Sequence, residues 1–218
     1  MDPASFEAAY YRTCYRDYAR HNPPRKLRFY ARMVERSLAP GVPRRIHDIG
    51  CGFGDFLGAL DASWELCGSD LSAFAIAQAV ARHPRGAFKV AAAAADPAPF
   101  PGAFGVVTAF DVLEHIPDLD AVAAAVSRQL APSGSFLFAV PVYDGLTSPI
   151  IRALDHDPTH VHKWPRRRWL EWAAAHFRVL DWLGAVRYLF PLLGYLHLTT
   201  RLLRRHTPSI LVACRKGP

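Results

Sequence analysis

At 218 residues and 51% apolar content, the chain is long enough for one well-buried α/β domain and too short for two ordinary ones. Its four cysteines, Cys14, Cys51, Cys67 and Cys214, form no C-x-x-C pair and no metal-like cluster, which excludes a disulfide scaffold and points to a reduced, cytoplasmic protein. The opening Met1-Asp2-Pro3-Ala4 carries no basic start leading into an apolar run, so export is not expected.

The net charge of +7 is unevenly spread: Lys/Arg against Asp/Glu is 10 to 4 over residues 1–45, 5 to 13 over 46–159 and 11 to 2 over 160–218. An acidic centre between basic ends suits a surface facing an anionic partner such as nucleic acid, lipid headgroups or a phosphorylated substrate. The bland alternative is a solvated, arginine-rich surface.

Residues 5–20 read as a helix with Ser5 as N-cap, and Tyr11, Tyr15 and Tyr18 share one face of it. Asn22-Pro23-Pro24 ends that helix. A second runs from Arg25 to Leu38 with Leu27, Tyr30, Val34 and Leu38 on one side, and Pro40-Gly41-Val42-Pro43 closes an N-terminal helical unit of residues 1–43. From residue 44 the pattern alternates. Strands are expected at Arg44–Ile49, Glu65–Ser69, Gly86–Ala91, Phe104–Phe110 and Ser135–Val140. Helices are expected at Asp55–Ala62, Ser72–His83 and Asp118–Leu130, the second capped by Ser72 with Ala75, Ile76, Ala79 and Val80 inward. This order, without hairpin signals, argues a parallel sheet with right-handed crossovers.

Past Pro141, a long segment, Val142–Lys163, leads to an amphipathic helix at Arg166–Ala175. It starts at the strand ends where open α/β sheets bind ligands, so it reads as a substrate loop. Phe177–Trp182 and Ser209–Cys214 read as the last two strands, separated by an insertion over 183–208. The apolar run 188–198 is too broken to span a bilayer. Followed by Arg201, Arg204 and Arg205, it suits a helix lying in a membrane interface or gripping a greasy substrate; packing on the domain or on a second copy in a homodimer is the alternative.

The chemistry concentrates at Asp48-Ile49-Gly50-Cys51-Gly52-Phe53-Gly54, where an apolar segment enters three alternate glycines and then a helix. Glycine allows close backbone approach, helix-start N–H groups attract anionic ligand groups, and Asp70 beyond the next apolar run is placed for two ribose hydroxyls. This is a nucleoside-cofactor site, without the G-x-G-x-x-G spacing of dinucleotide binders.

The string DIGCGFG resembles motif I of the class I S-adenosylmethionine-dependent methyltransferases. Gly68-Ser69-Asp70-Leu71-Ser72 is similar to the family's second-strand end, and Phe110-Asp111-Val112-Leu113-Glu114-His115-Ile116 to its D-V-L-E-H segment. The resemblance covers roughly residues 44–141. It implies a Rossmann-like seven-stranded sheet, mostly parallel with an antiparallel last strand, helices on both faces and an N-terminal helical lid on a cofactor domain of residues 44–218. It also implies S-adenosylmethionine as cofactor, S-adenosylhomocysteine as product, and contacts from Asp48, Gly50, Cys51, Gly52, Gly54, Asp70, Leu71, Phe110 and Asp111. For adenine, Asp96 is the candidate, because Ala94 stands at the usual acid position. Gly105 departs from the acid that the family places after Phe104.

His115 is the natural base, since an imidazole titrates near neutral pH, with Glu114 to hold its tautomer. His160 is a further catalytic candidate, and Tyr11, Tyr15, Tyr18, His156 and His162 are candidate substrate contacts. Asp111-x-x-Glu114-His115 is also similar to the E-x-x-E-H of ubiquinone-biosynthesis O-methyltransferases and small-RNA 2′-O-methyltransferases, which implies an alternative with Asp111, Glu114 and His115 on a divalent metal and a further ligand from His156, His160 or His162. The primary reading is metal-free. It has the enzyme methylating a small-molecule acceptor, on oxygen, in secondary metabolism or envelope glycan or lipid assembly. The alternatives are RNA 2′-O-methylation, against which the lack of a separate RNA-binding module counts, and a non-catalytic S-adenosylmethionine-binding protein. The expected location is cytoplasmic or peripheral at the membrane through 188–205.

Overall fold

The computed structural model describes residues 22–145, 148–155, 157–190 and 194–217. The helix expected over residues 5–20, with Tyr11, Tyr15 and Tyr18, and the candidate His156 lie outside the described residues.

Helix α1 (Pro24–Ser37) starts on a proline at its first turn, where a missing N–H costs nothing. Its buried residues, Lys26, Tyr30, Val34 and Ser37, recur at helical spacing and turn one face to the sheet. The α/β core follows in order: β1 (Arg45–Ile49), α2 (Asp55–Gly58), β2 (Glu65–Asp70), α3 (Ala73–Arg82), β3 (Ala87–Val90), β4 (Phe104–Phe110), α4 (Leu119–Gln129) and β5 (Leu130–Pro141). Ser72 caps α3 by accepting from the Ala75 N–H, as its sequence predicts. Val80, expected inward, is exposed, because the buried stripe of α3 is Ala75, Ile76 and Ala79.

The sheet order is β3-β2-β1-β4-β5-β8-β6-β7, with β6 (Phe177–Phe190), β7 (Gly194–Thr200) and β8 (Ser209–Lys216). Strands β1 to β5 are parallel, β8 runs antiparallel to β5 and β6, and the order reverses between β1 and β4. That reversal opens the crevice in which such sheets take their ligands. The two faces bury separate cores. Val107, Phe136, Phe138 and Val212 pack with α4 and with Trp169, Trp172 and Ala173 of α6 (Arg166–His176), while Ile46, Val106, Leu137 and Leu211 pack with Tyr30 and Val34 of α1 and with Phe56 and Leu57 of α2. Adjacent residues Val106 and Val107 thus serve opposite faces, the period of two that a doubly covered strand requires.

Two local departures have clear causes. The loop segment 142–163 contains a helix, α5 (Ser148–Leu154). The insertion forms a hairpin rather than an interfacial helix, and so adds an eighth strand to the seven expected: β6 continues to Phe190 and pairs with β7 from Gly184↔Thr200 to Phe190↔Gly194. Residues 188–190 of the apolar run continue β6 and 194–198 begin β7, and their pairing satisfies backbone groups that a bare edge would expose. Gly105 is also explained, since a Cβ there would stand 2.0 Å from the Pro43 carbonyl oxygen, where the chain entering β1 crosses the start of β4.

Candidate functional site

The chain leaves β1 and turns through Gly50, Gly52 and Gly54 with φ of 70°, 52° and 75°, a left-handed run that side chains with a Cβ resist. The N–H groups of Gly50 and Cys51 both bond the Ser69 carbonyl, at 2.7 and 3.0 Å, which ties the loop to the end of β2. A Cβ on Gly50 would stand 2.3 Å from Cγ2 of Val112, so the Val112 side chain in the segment after β4 packs directly on the glycine loop.

Asp70 joins these parts. Its Oδ2 accepts from the Gly52 N–H and its Oδ1 from the Ser72 N–H, both at 2.9 Å. These two bonds fix the direction of its carboxylate at the end of β2. Asp48 lies deeper, buried and accepting from the Thr108 hydroxyl at 2.5 Å, so it joins β1 to β4 at the point of strand reversal. Burial pushes its carboxyl up to about 7, with the Thr108 bond opposing and the Asp70 charge adding. Cys51 is buried too, and burial, then the Asp70 and Asp48 charges, hold its thiol well above the ordinary range. It packs the loop and offers no thiolate.

At the end of β4, Asp111 adopts φ of 60°, a sparsely populated conformation for a residue with a side chain, and its N–H bonds the Ala139 carbonyl at 2.9 Å. Phe110 stacks on Tyr30 of α1 with ring centroids 4.2 Å apart, and Lys26 Nζ lies 3.8 Å from Asp111 Oδ2. His197 of β7 meets Phe29 edge-on at 4.9 Å. The N-terminal helix and the hairpin therefore close over the same strand end.

Beyond Asp111 a short 3₁₀ turn, Leu113–His115, buries Glu114 and His115. The loop arriving from α5 locks onto it: the N–H groups of Val161 and His162 bond the Glu114 carbonyl, and His160 lies 4.7 Å from His115, ring centre to ring centre. One donor atom from each of Glu114, His115 and His160 lies within 4.8 Å of the others. Among the described residues this group could hold a divalent cation or accept a proton. Asp111 is not a member, since its carboxylate faces Lys26.

Hydrogen bonding assigns the imidazole protons. The Thr159 hydroxyl donates to Asp157 Oδ1, so its oxygen accepts from His115 Nδ1 at 2.8 Å. The Tyr143 hydroxyl donates to Asp155 Oδ2 at 2.7 Å, and His160 Nδ1 lies 2.9 Å from Asp155 Oδ1. Both rings thus carry the proton on Nδ1, leaving Nε2 as the acceptor nitrogen. Burial and the adjacent His160 lower His115 to about 4 against the pull of Asp157, so it is neutral at neutral pH. Burial raises Asp155, but Lys163, Tyr143 and His160 outweigh it and bring the carboxyl down to about 2.

The other sequence candidates separate from this group. The Asp96 side chain is 79% exposed and faces Arg128 at 3.8 Å, turned toward solvent and α4. His162 bonds the Ile116 carbonyl through Nε2 at 2.8 Å and so braces the loop. Leu71 and Phe110 are part-buried along the strand ends. Sequence reasoning missed Lys26, Tyr30, Thr108, Val112, Tyr143, Asp155, Asp157 and Thr159. Only the run Asp155-His156-Asp157-Pro158-Thr159-His160, dense in groups that bond imidazoles, carried a signal.

A family model described as a methyltransferase domain matches residues 18–181. A ubiquinone biosynthesis O-methyltransferase of Thiobacillus denitrificans is 34% identical over 108 residues, 46% of each chain. The corresponding protein of Methylococcus capsulatus is 36% identical over 102 residues, 44% of this chain and 43% of that one. The chain thus spans about half the length of the curated relatives it matches. Among solved structures, the YcgJ protein of Bacillus subtilis superposes with a TM-score of 0.64 at 17% identity, over 88% of this chain and 98% of that one, a likeness of fold.

Proposed function

The chain belongs to the methyltransferase-domain family, and from that premise we propose that it transfers the methyl group of S-adenosylmethionine to an oxygen of a small-molecule acceptor. The observation that carries this reading is the left-handed glycine run at 50, 52 and 54 bonded through Gly52 to Asp70. S-adenosylmethionine supplies an electrophilic methyl group when bound. In this reading the loop backbone would hold the methionine portion, Asp70 the ribose hydroxyls, and the strand end at Phe110 and Asp111 the amino group. The named O-methyltransferases and the histidine group beside the strand end favour oxygen.

On the acceptor side, His160 receives the hydroxyl proton on Nε2 while Asp155 holds its Nδ1–H and stabilises the imidazolium that forms. Burial holds His115 well below the usual imidazole range, and, bonded to Thr159, it shapes the site beside His160. Alignment of acceptor oxygen and methyl group supplies much of the rate. A second reading is favoured by one observation, the approach of Glu114, His115 and His160 within 4.8 Å: two imidazoles and a carboxyl group suit a divalent cation, which would lower the pKa of a bound hydroxyl.

The test is calorimetry of S-adenosylmethionine binding, followed by labelled-methyl transfer into a metabolite extract with and without chelator. Absence of binding sinks the reading. Turnover that survives chelation and falls in His160→Ala supports the base, whereas turnover that chelator removes and a divalent cation restores transfers the role to metal.

A further inference from the structure

The large apolar side chains that stand well exposed among the described residues are unevenly placed. Leu180, Leu198, Leu202 and Leu203 belong to the hairpin and the segment after it, against Val80, Val90 and Val161 scattered elsewhere. Leu202 is 92% exposed and Leu203 59%, at the turn that returns the chain from β7 toward β8. Isolated exposed apolar residues need no explanation, but adjacent ones inside a basic rim do.

The rim is made of two segments. Residues 201–206 carry Arg201, Arg204, Arg205 and His206, faced by Asp181, which bonds Arg201 and lies 3.8 Å from Arg204. The first turn of α6 carries Arg167 and Arg168, both exposed, with Glu171 beside Arg167. Buried Arg166 locks the segments together: its guanidinium grips Asp144 at 2.7 Å and donates to the carbonyls of Arg204 and Thr207. The same fork connects the rim to the site, because Asp144 follows Tyr143, whose hydroxyl lies in the His160 network.

We infer that this surface docks on an anionic lipid bilayer. Leu202 and Leu203 enter the headgroup layer, and the arginines around them lie against lipid phosphates, an arrangement in which apolar insertion and charge attraction each make binding reversible and together make it specific for charged membranes. The segment of Tyr143 and His160, tied to this surface through Asp144 and Arg166, then stands beside the bilayer, where an apolar acceptor would be dissolved. The docking rests on the surface alone; methylation of a membrane-dissolved acceptor rests on the proposed function.

The experiment is co-sedimentation of the full chain with vesicles of phosphatidylcholine alone and of phosphatidylcholine mixed equally with phosphatidylglycerol. Preferential binding to the mixed vesicles is expected, weakening with salt. Leu202→Glu with Leu203→Glu should lower it at least about 10-fold, and Arg201→Ala with Arg205→Ala about 30-fold. Both variants should keep the melting temperature and the S-adenosylmethionine affinity of the wild type, which separates loss of docking from loss of fold or cofactor site. Binding to neither vesicle, equal binding to both, or wild-type binding by both variants overturns the inference. So does a dimer in sedimentation velocity that Leu202→Glu dissociates, which would make the leucines a contact between copies, or retained RNA released by salt.

Discussion

The glycine loop and the histidine loop face each other across the end of β4, and they are built on opposite plans. The first presents backbone: its key bonds run from the Gly52 and Ser72 N–H groups to one carboxylate, and its shape follows from residues within about one βαβ unit. The second presents side chains from three distant segments, with His115 after β4, Tyr143 after β5 and Asp155 to Lys163 beyond α5. A site made of backbone admits few side chains at its glycines and tolerates variety elsewhere. A site made of a side-chain network fails when any one proton is misplaced.

The largest effect should come from Gly50→Ala. A left-handed conformation costs a residue with a Cβ roughly 1–2 kcal/mol, and the new atom also meets Val112. The Val112 side chain that it meets stands next to Asp111 in the chain, so cofactor affinity should fall at least about 100-fold, read by calorimetry. An unchanged affinity would mean that the ligand does not use the close approach of loop and strand end.

Next come paired changes in the histidine loop. Asp155→Asn keeps the shape but offers His160 an amide that can force the other tautomer, so turnover should drop about 100-fold with cofactor affinity unchanged. Thr159→Val should cost less, about 10-fold, because His115 is the ring beside the base in the proposed reading. Equal losses in both variants would point to His115 and His160 acting together, as cation ligands do. The pH profile of turnover separates these outcomes from a simple loss of packing.

The same contrast explains what could be read from the sequence. The D-x-G-x-G-x-G string, Asp70 and the strand order follow from local spacing, because backbone demands show as glycines and as period-two apolar runs. The partners of His115 and His160 did not, since Thr159 and Tyr143 reach their histidines across 44 and 17 residues and nothing in local periodicity encodes such pairs. For Asp96, proximity in sequence to an adenine-contact position does not set which way a carboxylate turns in a proline-rich loop; here it stands exposed, 3.8 Å from Arg128. The hairpin was missed because an apolar run broken by Pro191 and Gly194 reads equally as a short helix or as two strands until the pairing partner is known.

A third test sets stability against pH. Asp48, raised to about 7 by burial, is protonated in the folded chain at acidities where an unfolded aspartate is already ionised. The folded state therefore binds the extra proton between about pH 4 and pH 7, and stability from this group is fully present below that window, declines as pH rises through it and then levels. Each pH unit of the window is worth at most about 1.4 kcal/mol. Asp48→Asn, which can still accept from Thr108, should flatten that segment of the curve in chemical denaturation. A slope that persists in the variant would place the titration elsewhere.

The smallest effect sharpens the contrast most directly. Ser72 takes part twice at the start of α3: its side chain accepts from the Ala75 N–H at 3.1 Å, and its own N–H donates to Asp70 Oδ1. Ser72→Ala removes the first bond and keeps the second. Loss of an N-cap costs about 1 kcal/mol, so the melting temperature should fall by about 2–4 °C. Cofactor affinity should stay within about twofold, because the group that orients Asp70 is backbone and survives the change. If affinity falls in step with stability, the side chains of this half matter to the ligand as much as its backbone does, and the division between the two halves of the site disappears.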